Sequence, residues 1–178
     1  LPAVPTLEHK HLVAARAGTL AALVPAAAPY SCSDPQAPAL ILVPGLGMDG
    51  LGFIRQLPLG AVADLHLFQT PNEAVAGETG LGHFARHVED YIQSSRLEAR
   101  PGGVVLGGCS MGGAISLAVA IRVRVRLGGL ILMGSFGNCA HVNWLARLLG
   151  PRAAWCIPLQ LSRKVARLVI ARKRLFGK

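Results

Sequence analysis

Between residues 39 and 134, short apolar runs alternate with longer segments of helical periodicity. The apolar runs predict four strands: ALILV at 39–43, DLHLFQ at 64–69, GVVLG at 103–107 and GGLILMG at 128–134. Because most of these runs are apolar without a break, we expect strands that are covered on both faces of a sheet.

Segments between the runs predict helices. In the stretch 80–99, apolar residues recur three or four positions apart, as one helix face requires: Leu81, Phe84, Val88, Tyr91 and Ile92. LGFIRQL predicts a short helix after the first run, and GGAISLAVAI at 112–121 predicts another. Strand and helix in alternation predict an α/β fold with a doubly wound, mostly parallel sheet and right-handed crossovers.

The two ends of the chain have a different pattern. In residues 1–38, GTLAALV at 18–24 fits either a strand or a helix end. Beyond Ser135 the rhythm stops, and residues 140–178 suggest two or three helices broken at Pro151 and Pro158. We therefore predict the N-terminal part of a sheet core over residues 1–138 and an incomplete helical lid over 139–178.

Glycines crowd the stretch LGGCSMGG at 106–113, which contains G-x-S-x-G centred on Ser110. It follows a predicted strand and precedes a predicted helix, the context in which this motif forms a sharp turn that projects a nucleophilic serine. The motif requires small residues at the positions of Gly108 and Gly112, because the chain passes close to itself there. A helix N-terminus favours negative charge, so the N–H of Met111 could donate to an oxyanion.

The second glycine-rich stretch, PGLGMDG at 44–50, allows two interpretations. Its G-x-G-x-x-G spacing is that of a dinucleotide-binding loop, which also needs an acid at the end of the second strand. Asp64 lies at the start of that strand and Glu73 beyond its end. We favour the other interpretation, in which the backbone N–H of Leu46 faces the same oxyanion as Met111, and we predict neither a cofactor nor a metal.

Together, LILVPGLGMDG, GVVLGGCSMGGAISLAVAI and GGLILMGSF resemble an α/β-hydrolase-fold protein of the esterase, lipase and peptidase type, over about residues 39–136. The resemblance implies that Ser110 is the nucleophile and that the N–H groups of Leu46 and Met111 form the oxyanion hole. Pro44 stands where many relatives have a histidine that is mostly structural.

A nucleophilic serine needs a histidine base and a carboxylate that orients it, and in the family these follow the serine in the order acid, histidine. After Ser110 the chain has no Asp or Glu, and its only histidine is His141. We expect a chain that ends before the acid and the base, in preference to a degenerate relative. The earlier His83, His87, Glu89 and Asp90 lie on the predicted crossover helix, where a solvated helix face is favoured over a metal pair.

Charge is distributed unevenly along the chain. Residues 1–110 hold six Lys/Arg and nine Asp/Glu (6 − 9 = −3), whereas residues 111–178 hold twelve Lys/Arg and no acid (+12). For the basic tail we favour a lid helix over a helix lying on an anionic membrane. Without interleaved aromatics or a recognition motif, no nucleic-acid partner is predicted. The four cysteines show no C-x-x-C pair, and with no signal peptide or spanning segment we expect a cytoplasmic location.

These patterns predict a serine hydrolase that cleaves an ester or similar acyl bond of a small molecule. The alternatives are a catalytically inactive α/β-hydrolase-like binding protein and, less favoured, a basic peripheral membrane module. The sequence leaves the substrate and the oligomeric state open.

Overall fold

The computed structural model describes residues 12–17, 20–25, 30–70, 76–78 and 80–135. All of these belong to the first of two compact units, Leu1–Gly137, and the second unit is Asn138–Lys178. The predicted lid at 139–178 and His141 lie outside the described residues. Their assignments, and the domain boundary at 138, therefore stay predictions.

In the described ranges, six strands form one mixed sheet in the order β1-β2-β4-β3-β5-β6. The strands are β1 (Leu12–Ala17), β2 (Leu20–Pro25), β3 (Ala39–Val43), β4 (Asp64–Phe68), β5 (Val104–Cys109) and β6 (Gly129–Met133). β3 pairs in parallel with both β4 and β5, and β5 pairs in parallel with β6. The predicted α/β fold with a mostly parallel sheet is confirmed.

The N-terminal hairpin is antiparallel, and it resolves the region that the sequence left open. β2 pairs antiparallel with both β1 and β4, so GTLAALV contributes a strand and no helix end. The sequence analysis did not predict β1. Its letters, LVAARA, show neither a continuous apolar run nor a clear alternation, and Val13 is about half exposed.

Each parallel connection is a crossover. α1 (Leu81–Ser94) and a 3-10 turn at Leu97–Ala99 connect β4 to β5, and α2 (Met111–Arg122) connects β5 to β6. The predicted helix LGFIRQL belongs to a 3-10 helix, Gly50–Ala61, which is interrupted at Phe53 and contains Pro58. Glycines and a proline are poor formers of a regular α-helix, which accounts for the tighter and broken form. Among the helices in the described ranges, none combines the length and the apolar content needed to cross a bilayer.

Alternation of side chains along the strands gives the sheet two apolar faces. One face, with Ile41, Val43 and Leu106, packs against Val88 and Ile92 of α1 and Ile115 of α2. The other face, with Leu40, Leu42, Leu65 and Leu67, packs against Leu57 of the 3-10 helix. All five residues of β3 are buried, as expected for a strand covered on both sides.

β6 is less covered than the other three strands that the apolar runs predicted. Leu130, Ile131 and Leu132 are 37%, 42% and 49% exposed. Within the described residues β6 pairs only with β5, so this strand is the edge of that part of the sheet. An apolar run therefore identified the strand correctly but not its burial.

Candidate active site

Ser110 lies in the turn between the last residue of β5 and the first residue of α2, with φ 54° and ψ −117°. A positive φ is uncommon for a residue with a side chain and is stabilised only where the surrounding structure enforces it. Here the Ser110 N–H donates to the Met133 carbonyl at 3.0 Å, and the Ser110 carbonyl accepts the Gly113 N–H at 3.1 Å. Ser110 is an exposed residue.

The glycines around Ser110 occupy places without room for a side chain. A Cβ on Gly108 would lie 2.2 Å from the carbonyl carbon and oxygen of Gly112. On Gly112, a Cβ would lie 2.1 Å from the Val43 carbonyl oxygen. Strand β5, helix α2 and the end of β3 therefore meet at backbone-to-backbone distance, which places the turn at the carboxyl end of the sheet.

The loop after β3 lies beside the Ser110 turn. A Cβ on Gly45 would be 3.1 Å from the Cys109 carbonyl oxygen and 3.4 Å from the Ser110 Cβ. The Met48 N–H donates to the Gly45 carbonyl at 3.1 Å and closes a tight turn, in which Leu46 is 69% exposed. Met111 is the first residue of α2, so its N–H has no acceptor within the helix. The structure thus brings the loop after β3 against the glycine-rich turn that contains Ser110.

Comparison with known proteins identifies the family of the chain. The model of the alpha/beta hydrolase family matches residues 40–177. The chain belongs to the α/β-hydrolase family. No curated protein sequence matches it.

Solved structures share the fold of this α/β-hydrolase chain. A hydrolase from Pseudomonas aeruginosa superposes with a TM-score of 0.63 at 18% identity, over 90% of this chain and 58% of that one. An esterase from M. tuberculosis superposes with a TM-score of 0.53 at 18% sequence identity. The match covers 79% of this chain and 45% of the esterase. A 2-hydroxy-6-oxo-6-phenylhexa-2,4-dienoate hydrolase from Rhodococcus superposes with a TM-score of 0.50 at 24% sequence identity. The match covers 71% of this chain and 47% of that hydrolase. The chain therefore spans about half the length of these relatives.

His66, for which the sequence suggested no role, belongs to a polar cluster within the α/β-hydrolase sheet. Its Nδ1 lies 2.8 Å from the Tyr91 hydroxyl oxygen, and its Nε2 lies 3.2 Å from Asp64 Oδ2. Arg100 Nη1 lies 2.9 Å from the same Asp64 oxygen. The hydrogen bond from His66 lowers the pKa of Asp64, and burial raises the pKa of Tyr91 to about 12. Both ring nitrogens of His66 thus face other partners, so it is not placed as a base for Ser110.

The candidate residues on α1 do not form the solvated face that the sequence predicted. His87 is 7% exposed and Glu89 is fully buried. The rings of His83 and His87 lie edge to face with centroids 4.7 Å apart, and burial together with His87 lowers the pKa of His83. The prediction was wrong for Glu89 because an arginine of α2 covers its side of α1: Arg122 Nε lies 2.8 Å from Glu89 Oε1.

Asp49 occupies the N-cap position of the 3-10 helix. Its backbone carbonyl accepts the Gly52 N–H at 3.0 Å, but its side chain forms no capping hydrogen bond. Asp49 therefore orients the turn after β3 through its backbone alone.

A cleft that sequence reasoning missed lies at the other end of the sheet. It encloses about 300 Å³ and is lined by Glu98, Arg100, Pro101, Gly102, Gly103, Arg126 and Gly128. Gly103 and Gly128 immediately precede β5 and β6, so this cleft is at the amino ends of the strands. Ser110 follows the carboxyl end of β5, which places the cleft on the side of the sheet away from the serine.

Proposed function

We propose that this chain carries the nucleophile and the oxyanion hole of a serine hydrolase that cleaves an ester or similar acyl bond of a small molecule. The observation that carries the proposal is Ser110 itself. A serine held at φ 54° between a strand and a helix N-terminus, beside a second glycine-rich loop, is arranged to present its hydroxyl to a substrate.

In the proposed reaction, Ser110 Oγ attacks the acyl carbonyl carbon, and the carbonyl π electrons move to its oxygen. The N–H groups of Leu46 and Met111 then donate to this oxyanion, and the positive end of the α2 dipole favours its charge. Collapse of the tetrahedral species expels the leaving alkoxide, which takes up the proton from the serine. Water later attacks the acyl-serine ester by the same route and regenerates the hydroxyl.

The proton must pass through a base, normally a histidine oriented by a carboxylate. We assign that role to no described residue, since His66 is engaged with Tyr91 and Asp64. The solved relatives include proteins named as esterase and hydrolase, which supports acyl-bond cleavage for the present site. The proposal needs no cofactor.

Covalent labelling tests this proposal on the chain as it is. A fluorophosphonate probe reacts with activated serines. Because no base is assigned among the described residues, we expect slow labelling, with a single adduct that intact-mass and peptide mass spectrometry locate on Ser110. Ser110→Ala should abolish the adduct. Ser94→Ala is the matched control, because it removes an exposed hydroxyl on α1 that donates to the Asp90 carbonyl at 2.5 Å.

A folded chain whose Ser110 takes up the probe no faster than its other serines would overturn the proposal and favour the catalytically inactive binding protein, because an oxyanion hole without a base still retains ~10³–10⁴-fold of the acceleration over water. Equal labelling of the wild type and Ser110→Ala would place the reactive group elsewhere and would also contradict it.

A further inference from the structure

The segment after β6 touches the backbone of the proposed nucleophile. Ser135 Oγ donates a hydrogen bond to the Ser110 carbonyl oxygen at 2.8 Å. The same oxygen accepts the N–H groups of Gly113 and Ala114 at the longer distances of 3.1 and 3.3 Å. The hydroxyl of Ser135 is thus the closest of the three donors to this carbonyl.

Neighbouring glycines make this contact possible. A Cβ on Gly113 would lie 2.4 Å from both Cβ and Oγ of Ser135, so any side chain there would displace the serine. Gly134 has φ 54°, and a Cβ at this position would meet no atom within 4 Å, so its glycine serves the backbone turn and not packing. That turn directs the chain after β6 back toward Ser110.

The hydrogen-bonded carbonyl belongs to the same peptide group as the N–H of Met111. A peptide group is planar and trans, so its C=O and N–H point in opposite directions, and holding one fixes the direction of the other. A donor on the carbonyl oxygen also polarises the group and strengthens the N–H as a donor. The Ser135 hydroxyl therefore acts on the side of the peptide that is opposite the proposed oxyanion.

We propose that Ser135 is a positioning residue of the active site, whose hydroxyl aims and polarises the Ser110–Met111 peptide so that the Met111 N–H meets the oxyanion. The inference rests on the proposed function of Ser110 and adds a residue to which neither the motif nor the family match assigns a role. Ser135 touches no reacting atom and acts through the peptide.

Two pairs of variants of the full chain test the role of the hydroxyl. Ser135→Ala removes it, with Ser94→Ala as the matched control. Threonine and valine have nearly the same shape and differ in the hydroxyl. The pair Ser135→Thr and Ser135→Val therefore remains informative if a change of side-chain volume at this position itself slows the labelling. The measurements are the rate of fluorophosphonate labelling of Ser110, the melting temperature, and the NMR shifts of the Ser110 carbonyl ¹³C and the Met111 amide ¹⁵N.

We expect Ser135→Ala and Ser135→Val to label about tenfold more slowly than the wild type and Ser135→Thr. Losing an oxyanion donor outright costs ~10²–10³-fold, and a misaimed donor retains part of its effect. In Ser135→Ala and Ser135→Val, the Ser110 carbonyl and Met111 amide resonances should both shift. The melting temperature of Ser135→Ala should equal that of the wild type, and the melting temperature of Ser135→Val should equal that of Ser135→Thr.

Equal labelling rates within each pair would overturn the inference, as would unchanged peptide resonances. If Ser110 of the wild type takes up the probe no faster than the other serines of the chain, the proposed hydrolase function fails, and the resonances still decide whether Ser135 holds this peptide.

Discussion

Single residues at three turns show where the backbone conformation and the side chain are in conflict. Among the described residues, Arg96, Ser110 and Val123 have positive φ without being glycine. Such residues persist where the surroundings enforce them and are concentrated at functional sites. The surroundings of Ser110 do enforce its conformation, since its N–H donates to Met133 of β6 and its carbonyl accepts the Gly113 N–H of α2. The surroundings of Val123 do not, because this residue follows α2 at the surface and is 80% exposed.

Val123→Gly should therefore stabilise the fold. A left-handed conformation costs an L-residue about 1–2 kcal/mol, whereas glycine adopts it freely and is the usual residue after a helix. The greater freedom of glycine in the unfolded chain offsets part of the gain, leaving about 1 kcal/mol, or ~2–4 °C in melting temperature. Val123→Ala, which keeps a Cβ, should gain less. A lower melting temperature for Val123→Gly than for Val123→Ala would contradict this account.

The close approach at Gly112 should make that position intolerant of even one methyl group. In Gly112→Ala the new Cβ would lie 2.1 Å from the Val43 carbonyl oxygen, a backbone atom that cannot swing away. We expect a loss of about 3 kcal/mol in the free energy of unfolding, measured by urea titration. The control is Gly129→Ala in β6, where the nearest atoms would be Val105 methyls at 3.5 and 3.6 Å. Similar stabilities for the two variants would show that the crossing of β3 and α2 is looser than described.

At the scale of elements, an ionic cluster joins α1 to the end of α2. Glu89 on α1 is fully buried, and Arg122 on α2 lies 2.8 Å from it and also pairs with Glu78. Arg86 and Arg124 approach the same carboxylate at 3.8 and 3.9 Å. A buried carboxylate is tolerated only when its charge is compensated, so Arg122 holds the two crossover helices in a common arrangement.

Arg122→Met should destabilise the chain by about 2 kcal/mol, measured by chemical unfolding at neutral pH. Breaking a fully buried pair costs ~3–5 kcal/mol, and two further arginines near Glu89 reduce the loss here. Glu89→Gln combined with Arg122→Met should recover much of it, since no unpaired charge is then left inside. Asp90→Asn, at a pair with Arg86 whose side chains are 36% and 32% exposed, is the control and should cost under about 1 kcal/mol. If Arg122→Met lowers the free energy of unfolding by no more than Asp90→Asn does, the buried carboxylate of Glu89 does not depend on Arg122 for charge compensation.

For the whole molecule, the exposed apolar surface of β6 is the feature with consequences in solution. Leu130, Ile131 and Leu132 are exposed on a strand that carries no charge, proline or bulge to discourage pairing with another chain. We expect concentration-dependent self-association, measured by sedimentation velocity. Ile131→Lys should suppress it without unfolding the protein. Val62→Lys is the control, because Val62 is 68% exposed but lies outside the sheet. Association that persists in Ile131→Lys would remove β6 as its cause.

The sequence by itself determined the elements around the candidate site. Four apolar runs located β3, β4, β5 and β6, and glycine clusters located the two loops that meet at Ser110. Patterns of this kind are readable because they are local: a strand or helix requires its periodicity within a few residues, and a sharp turn requires its glycines in place. The three-to-four spacing on α1 likewise identified the apolar face that contains Val88 and Ile92.

Only the tertiary structure decided what depends on residues far apart in the chain. β1 is a strand because β2 pairs with it, Glu89 is buried because Arg122 reaches it from another helix, and β6 is exposed because nothing described lies beyond it. Ser135 approaches Ser110 only after β6 has paired with β5. Burial, ion pairing and edge position are properties of the packed chain. Whether a residue is polar or apolar does not by itself determine which residues it contacts in the fold.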